Sequence, residues 1–407
     1  MYMIPLLYSK VGNSFNSYFE KRSSNAMSCW RSPRFLASLH DRYLLKLSGK
    51  DTTKFLQGLI TQNVELLTKQ SQKPTLGYTG FLNKRGRLIN QGFLAPLSES
   101  CEDWLIDVHP STGSELVKHL QLFRLRSKVE ISNVSDSYSV WLVSEYCSKT
   151  SILLIYCNQL SRVAPGLERM DQIWSDFVPD KPTVYSLDPR VSRLGLRFYT
   201  SIHTKYQGQK EAQGSEELYH VWRMIYGIPE GGTDYSFLNS LPFEGNLDYL
   251  NGISFSKGCY LGQETTARVN YTGVVRKRIA PVLFAKEKDK GLEIAQAMNH
   301  FYECPNDAIC PIQTMELENG LSTVPVNSQL FAQNDKATKA VGYITSSVYN
   351  IGLARLDVAS AFPNGSSVIG IPLNVEQSKM YAIPLKPFWW PREDMESSQK
   401  ATFSGET

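Results

Sequence analysis

Residues 257–264 read Lys257-Gly258-Cys259-Tyr260-Leu261-Gly262-Gln263-Glu264, inside the longer stretch PFEGNLDYLNGISFSKGCYLGQETTARVNYTGVVRKR over 242–278. Glycines on both sides of the cysteine permit a tight turn and close approach of a ligand or partner. Just past Gly262 the spacing allows a short helix from Gln263 to Val269. A cysteine near a helix N-terminus, beside Lys257 and close to Arg268, has its thiolate favoured, so Cys259 reads as an activated, partly exposed thiol. The plainer alternative is a small buried hydrophobe between packed glycines. The stretch holds no CxxC pair, and Cys304 and Cys310 fall in a different, loop-like region. A zinc site or an iron–sulfur cluster held by one chain needs about four ligands. Cys259 supplies one, so neither a resident metal nor a stable cluster is expected of the isolated chain.

Outward from this stretch, Arg42–Leu47 alternates as a strand, Ser48-Gly49 turns, and Asp51 stands where a helix N-cap belongs. Phe55, Leu56, Leu59, Ile60, Val64 and Leu67 then recur at helical spacing. Leu76–Leu82 and Leu88–Leu94 flank Asn83–Arg87 as a hairpin. Trp104–Val108 is a strand, Ser114 caps a helix to about Leu125, and Val129–Val134 is a strand again. Strands mixed with helices and hairpins argue for α+β. Tyr138–Val143 and Ser151–Cys157 open a second unit of similar texture, His203–Glu217 is a polar loop, and Glu217–Tyr226 a short helix. Beyond Arg278, short apolar runs (Ile279–Ala285, Ala340–Thr345, Ile351–Leu356, Ser378–Ile383) separated by turn residues predict a small all-β barrel or sandwich.

The net charge of +4 sits in one place. Residues 1–34 carry five basic residues, seven serines and a single acid, Glu20, and the remaining chain is neutral. That segment has the composition of a mitochondrial transit peptide, the alternative being a disordered terminus. A neutral body gives little support to nucleic-acid binding. Seven scattered cysteines do not make a disulfide scaffold, and no apolar run is long enough to span a membrane. The boundaries expected are 1–34 transit peptide, 35–278 body, 279–392 barrel and 393–407 polar tail.

The octapeptide, with Thr266-Ala267-Arg268 after it and Arg276-Lys277-Arg278 closing the stretch, resembles the signature of the YgfZ-type family of folate-binding, glycine-cleavage-T-protein-like factors. Leu47–Asp51, Phe55–Thr61, Tyr226–Gly231, Leu241–Glu244 and Trp389-Trp390-Pro391 are similar to the same pattern, so the resemblance spans about 40–392. It implies an α+β, T-protein-like body of two portions around a central folate-sized opening, followed by a C-terminal β-barrel. It also implies the work of the family's eukaryotic members, which are mitochondrial iron–sulfur cluster assembly factors also classed as transferases. Tetrahydrofolate would be the cofactor, with Glu244, Arg223 and Tyr226 lining its slot and Lys257, Gly258, Gly262, Gln263, Glu264 and Arg268 supporting Cys259. For Glu244 the alternative is a helix-start acid, and for Arg223 a surface ion pair.

T-proteins carry an aspartate shortly after the glycine of the hairpin, where this chain has Asn90 and Gln91. An amide cannot act as a base at neutral pH, which argues against aminomethyl transfer. The leading expectation is therefore a matrix factor for late [4Fe–4S] protein maturation. It would share Cys259 with an A-type carrier or a glutaredoxin-like protein and serve [4Fe–4S] target enzymes. A folate-dependent one-carbon transferase is the second reading. A tRNA-modification factor using Lys84, Arg85, Arg87 and Arg276–Arg278 is the third and weakest.

Overall fold

The computed structural model describes residues 35–69, 76–98, 100–144, 182–204, 213–214, 216–303, 324–332, 340–365, 367–376 and 378–391. The transit segment, the strand expected over Ser151–Cys157, most of the polar loop after His203, both Cys304 and Cys310, and the tail beyond Pro391 lie outside the described residues.

Two five-stranded sheets face each other. The first runs β3 (Gly77–Leu82), β4 (Leu88–Pro96), β5 (Asp103–Val108), β2 (Tyr43–Ser48), β6 (Glu130–Asn133). The second runs β10 (Gln213–Gly214), β1 (Phe35–Leu39), β7 (Tyr138–Ser144), β9 (Leu196–Ser201), β8 (Val184–Leu187). Because strand side chains alternate, the first sheet feeds two cores. Leu44, Tyr78, Phe93 and Leu105 turn toward the second sheet. Leu45, Leu47, Leu94, Trp104 and Ile106 turn the other way, under the helices. Those helices are α1 (Thr52–Gln57), α2 (Val64–Lys69) and α3 (Gly113–Arg124). Helix α4 (Glu216–Ile225) is buried along most of its length and belongs to the core between the sheets.

The apolar spacing from Phe55 to Leu67 is not one helix. The chain breaks at Gly58 and restarts at Val64, with Ile60 forming a bridge to Phe81. Asp51 does stand at the N-cap of α1, but its carboxylate accepts from Lys128 N–H (2.8 Å) instead of capping the helix. Helix α3 is preceded by Thr112, not capped by Ser114, whose hydroxyl donates to Glu115. The hairpin β3–β4 forms as expected, with Asn83 accepting from the N–H groups of Gly86, Arg85 and Arg87.

The C-terminal strands close a six-stranded barrel in the order β11 (Lys277–Ala285), β14 (Ile351–Asp357), β13 (Gly342–Val348), β12 (Gln329–Ala332), β15 (Leu373–Val375), β16 (Tyr381–Pro384). Ala280, Val282 and Phe284 fill its interior, while Ile279 and Leu283 face the body. This region is not all-β. Helix α7 (Lys288–Glu303) follows β11 and packs through Gly291, Ala295, Met298, Phe301 and Tyr302. Its charged first turn reads as a loop, and only the later i, i+4, i+7 spacing marks it. A Cβ at Gly291 would lie 2.5 Å from Ile383 Cδ1, so the helix rests directly on β16. Among the described residues no helix is long and apolar enough to cross a membrane.

Candidate functional site

The motif loop is held by a seam to the broken helix. Residues 57–62 leave carbonyls pointing outward where α1 ends, as any helix C-terminus does. Lys257 Nζ donates to three of them, Gln57 O (2.8 Å), Ile60 O (2.7 Å) and Gln62 O (2.8 Å). Leu261 N–H reaches Gly58 O (3.0 Å) and Ser254 N–H reaches Thr61 O (2.9 Å). Two stretches nearly 200 residues apart thus complete each other's hydrogen bonding. Burial pushes the Lys257 ammonium down to about 7, while three carbonyl oxygens accept its three N–H groups and favour the charged form.

Cys259 is exposed at the far side of this loop. It is not a hydrophobe between packed glycines, because a Cβ on Gly258 would meet nothing within 4 Å. Nor is Lys257 its partner, since all three of its donors are spent on the carbonyls. Gly262 is the glycine the geometry requires. Its φ is +79°, and a Cβ there would lie 2.5 Å from Asn83 O and 3.1 Å from Gly86 Cα. Helix α6 (Gln263–Thr272) starts there; between it and α4 the described residues hold the short helix α5 (Gly231–Asp234) and a 3-10 turn at Pro242–Gly245. The Gln263 side chain accepts from Tyr260 N–H (2.9 Å) and closes the turn. Glu264 lies exposed in the first turn of α6, where the helix dipole favours an acid. Arg268 is on the same helix, beside the hairpin residues Lys84, Arg85 and Arg87.

The expected folate residues are each taken up by the protein. Glu244 accepts from Leu241 N–H (3.1 Å) and pairs with Arg355 of β14, the arrangement of a turn-start acid. Arg223 is buried, not on the surface, and pairs with Asp234 (2.7 Å) while donating to His220 Nδ1 (3.0 Å). Tyr226 stacks edge-on with Trp222 and Phe388. Of the basic run Arg276–Arg278, Arg278 is buried against Asp248 (2.7 Å) and the Tyr249 ring, and is unavailable to phosphates.

What the sequence reading missed lies between the two sheets. Asp107 of β5 accepts from Arg42, Arg197 (3.1 Å) and Tyr199 (2.7 Å). Arg190 grips Asp188 with two bonds (2.9 and 2.7 Å) and also pairs with Glu230, which Tyr219 approaches as well. Arg190 and Arg197 lie 4.7 and 4.1 Å over the Phe93 ring. Burial alone would raise the Glu230 carboxyl; Arg190, Arg42, Arg197 and Arg223 outweigh it and hold it well below the usual range. The one available signal was chemical: Arg197 interrupts the otherwise apolar start of β9, and Glu230 belongs to the Tyr226–Gly231 stretch.

These groups bear on folate. Carboxylates, arginines and flat rings suit a pterin and its glutamate tail in kind, but Asp107, Glu230, Glu244 and Arg223 already hold protein partners. Asn90 and Gln91 are buried on β4, where Asn90 donates to His109 O (3.3 Å), and the Asp107 carboxylate already accepts from Arg42, Arg197 and Tyr199. Asp41, Glu216 and His220 also gather within 4.8 Å. His220 Nδ1 accepts from Arg223, so the neutral ring keeps its proton on Nε2 and offers a metal no lone pair.

Comparisons with known proteins fit this picture. No family model matches the chain. A protein of Mycosarcoma maydis named iron-sulfur cluster assembly factor IBA57 homolog, mitochondrial, is 31% identical over 401 residues, covering 92% of this chain and 88% of its own. The chain belongs to the IBA57 family. Members so named in Aspergillus oryzae (33% identical, 78% of this chain and 69% of that protein) and Dictyostelium discoideum (30%, 68% and 68%) agree. The glycine cleavage system aminomethyltransferase T of Bartonella henselae is similar in fold, with TM-score 0.55 and 10% identity over 88% of this chain and 86% of that one. This member of the IBA57 family therefore has a T-protein-like fold.

Proposed function

We propose that this chain is a mitochondrial matrix factor for iron–sulfur cluster assembly, acting late in [4Fe–4S] protein maturation. Residues 1–34 would be its targeting segment and 35–278 the working body ahead of the barrel. The observation that carries the reading is the exposed Cys259 on a loop anchored through Lys257 and Gly262. A loop tied down by hydrogen bonds, with an exposed thiol at its edge, is suited to meeting a partner, and one thiolate completes an iron shell only when others are brought to it. An A-type carrier or a glutaredoxin-like protein would bring them, the cluster being cargo. The relatives' printed names support the pathway and the compartment.

Cells carrying only Cys259→Ala test the reading. They are expected to lose aconitase-type [4Fe–4S] activity while keeping [2Fe–2S] proteins. Normal [4Fe–4S] activity with normal amounts of the variant overturns it.

The T-protein-like fold favours tetrahydrofolate as a ligand of the body, and with it the second reading, a one-carbon transferase. The amides at Asn90 and Gln91 and the paired state of Asp107 count against transfer chemistry. Titration calorimetry with tetrahydrofolate on wild type and Glu244→Ala separates these. Binding that weakens in the variant places folate beside Glu244; an unchanged affinity removes that residue from the site.

A further inference from the structure

Next to the motif loop, the tip of the β3–β4 hairpin, the second half of α3, the Leu238–Leu241 turn and the first turns of α6 enclose an open cleft of about 860 Å³. Four cations line it, Lys84, Arg85, Arg87 and Arg268, and no carboxylate does. Among the described residues none of the four forms an ion pair. Arg87 donates to Asn239 O (2.6 Å), and Lys84 lies 6.0 Å over the Phe123 ring. Six other arginines are paired with acids: Arg42, Arg190, Arg197, Arg223, Arg278 and Arg355. The cleft instead gathers four cations with no carboxylate among the residues that line it.

Its walls are also apolar. Leu122 is 67% exposed and Leu238 40%, and Val269 joins them. Leu125 (85%), Tyr271 (92%) and Val274 (62%) are also exposed, at or just past the ends of α3 and α6, outside the cleft lining. Single exposed hydrophobes are ordinary, but a set gathered around one cleft marks a contact surface.

We infer that this cleft receives an acidic, amphipathic segment of a partner protein, which sets its carboxylates on Lys84, Arg85, Arg87 and Arg268 and its aliphatic side chains on Leu122 and Leu238. The inference rests on the reading of Cys259 as the thiol that meets a partner. Helix α6 carries Arg268 into the cleft and begins four residues after Cys259, and Gly262 contacts the hairpin tip. A segment seated here therefore lies against the helix that follows the thiol loop. A protein fits better than RNA. The apolar walls are leucine and valine, the Phe123 ring already lies under Lys84 and packs on the His119 ring, and single-stranded nucleic acids need open stacking platforms.

The test uses the full-length protein and a fluorescein-labelled peptide with Glu and Leu in amphipathic helical order. Anisotropy should show salt-sensitive binding that weakens about tenfold or more in Arg85→Glu/Arg268→Glu, and also in Leu122→Asp. All three positions are exposed, so both variants should melt like wild type. Equal binding by the variants, no binding by wild type, or tighter binding of a single-stranded RNA or of oligoglutamate overturns the inference. In cells, Arg85→Glu/Arg268→Glu should reduce [4Fe–4S] activity, and full activity overturns it too. If Cys259→Ala is harmless but the peptide binds as described, the thiol reading falls and the docking surface stands. If Cys259→Ala abolishes activity while the charge-reversed variant is active, the opposite holds.

Discussion

The molecule holds two clusters of cations, and it treats them in opposite ways. Between the sheets, Arg42, Arg190 and Arg197 are matched by Asp107, Asp188 and Glu230, all buried, with tyrosine hydroxyls completing the contacts. Around the motif, Lys84, Arg85, Arg87 and Arg268 have no carboxylate facing them. Desolvated charge must be paired, because an uncompensated ion in the interior costs several kcal/mol. At the rim water pays that cost, so charge can be kept for a partner. The first cluster joins sheets and helices from distant parts of the chain; the second leaves a surface unfinished.

The comparison is easiest to break by removing one charge from each cluster. Arg197→Met should destabilise the fold by about 3–5 kcal/mol, because it removes a buried cation from between Asp107 and Glu230 and leaves them fewer partners, whereas Arg268→Met should change it by less than about 0.5 kcal/mol. Urea unfolding of the two variants measures this, and equal midpoints would end the distinction.

His220 offers a finer probe of the paired region. Burial, reinforced by Arg223, pushes its imidazole down to about 4 from 6.5. The unfolded chain then binds a proton that the folded one refuses, so stability is complete above 6.5 and falls as pH drops toward 4. The loss attributable to this ring should be of order 3 kcal/mol at the bottom of that window, and His220→Gln should flatten the slope. An unchanged slope in the variant would assign the acid sensitivity elsewhere.

Gly262→Ala lies at the border between the regions. Its positive φ and the 2.5 Å approach to Asn83 O predict a cost of about 1–3 kcal/mol, seen in urea unfolding and as faster amide exchange in the motif loop and hairpin tip. Gly258→Ala, facing open space, should cost a few tenths at most. The smallest structural effect is expected at Cys259→Ala, within about 0.5 kcal/mol of wild type because the thiol is exposed. Its functional effect should be large, and a substantial loss of stability would instead make the cysteine a packing residue.

Local chemistry was legible without coordinates. Short apolar runs became β3, β4, β5 and four of the six barrel strands, β11, β13, β14 and β16, the turn residues Asn83–Arg87 became a hairpin, and Gly262 became the start of α6. These follow from neighbours in the chain: side-chain alternation, a glycine with positive φ, a helix beginning where its cap allows. Cys259 stood out for the same reason, through the company it keeps along the sequence. The break in the Phe55–Leu67 helix was not legible, because the group that satisfies its freed carbonyls is Lys257, brought to Gln57, Ile60 and Gln62 from 195 to 200 positions away. Asp107 and Glu230 looked like ordinary acids until the two sheets closed on them. The cleft needed four separate segments to meet. Hydrogen bonding and charge pairing across such separations carry no periodic signature, so only the tertiary structure decided which charges were spent inside and which were left at the surface.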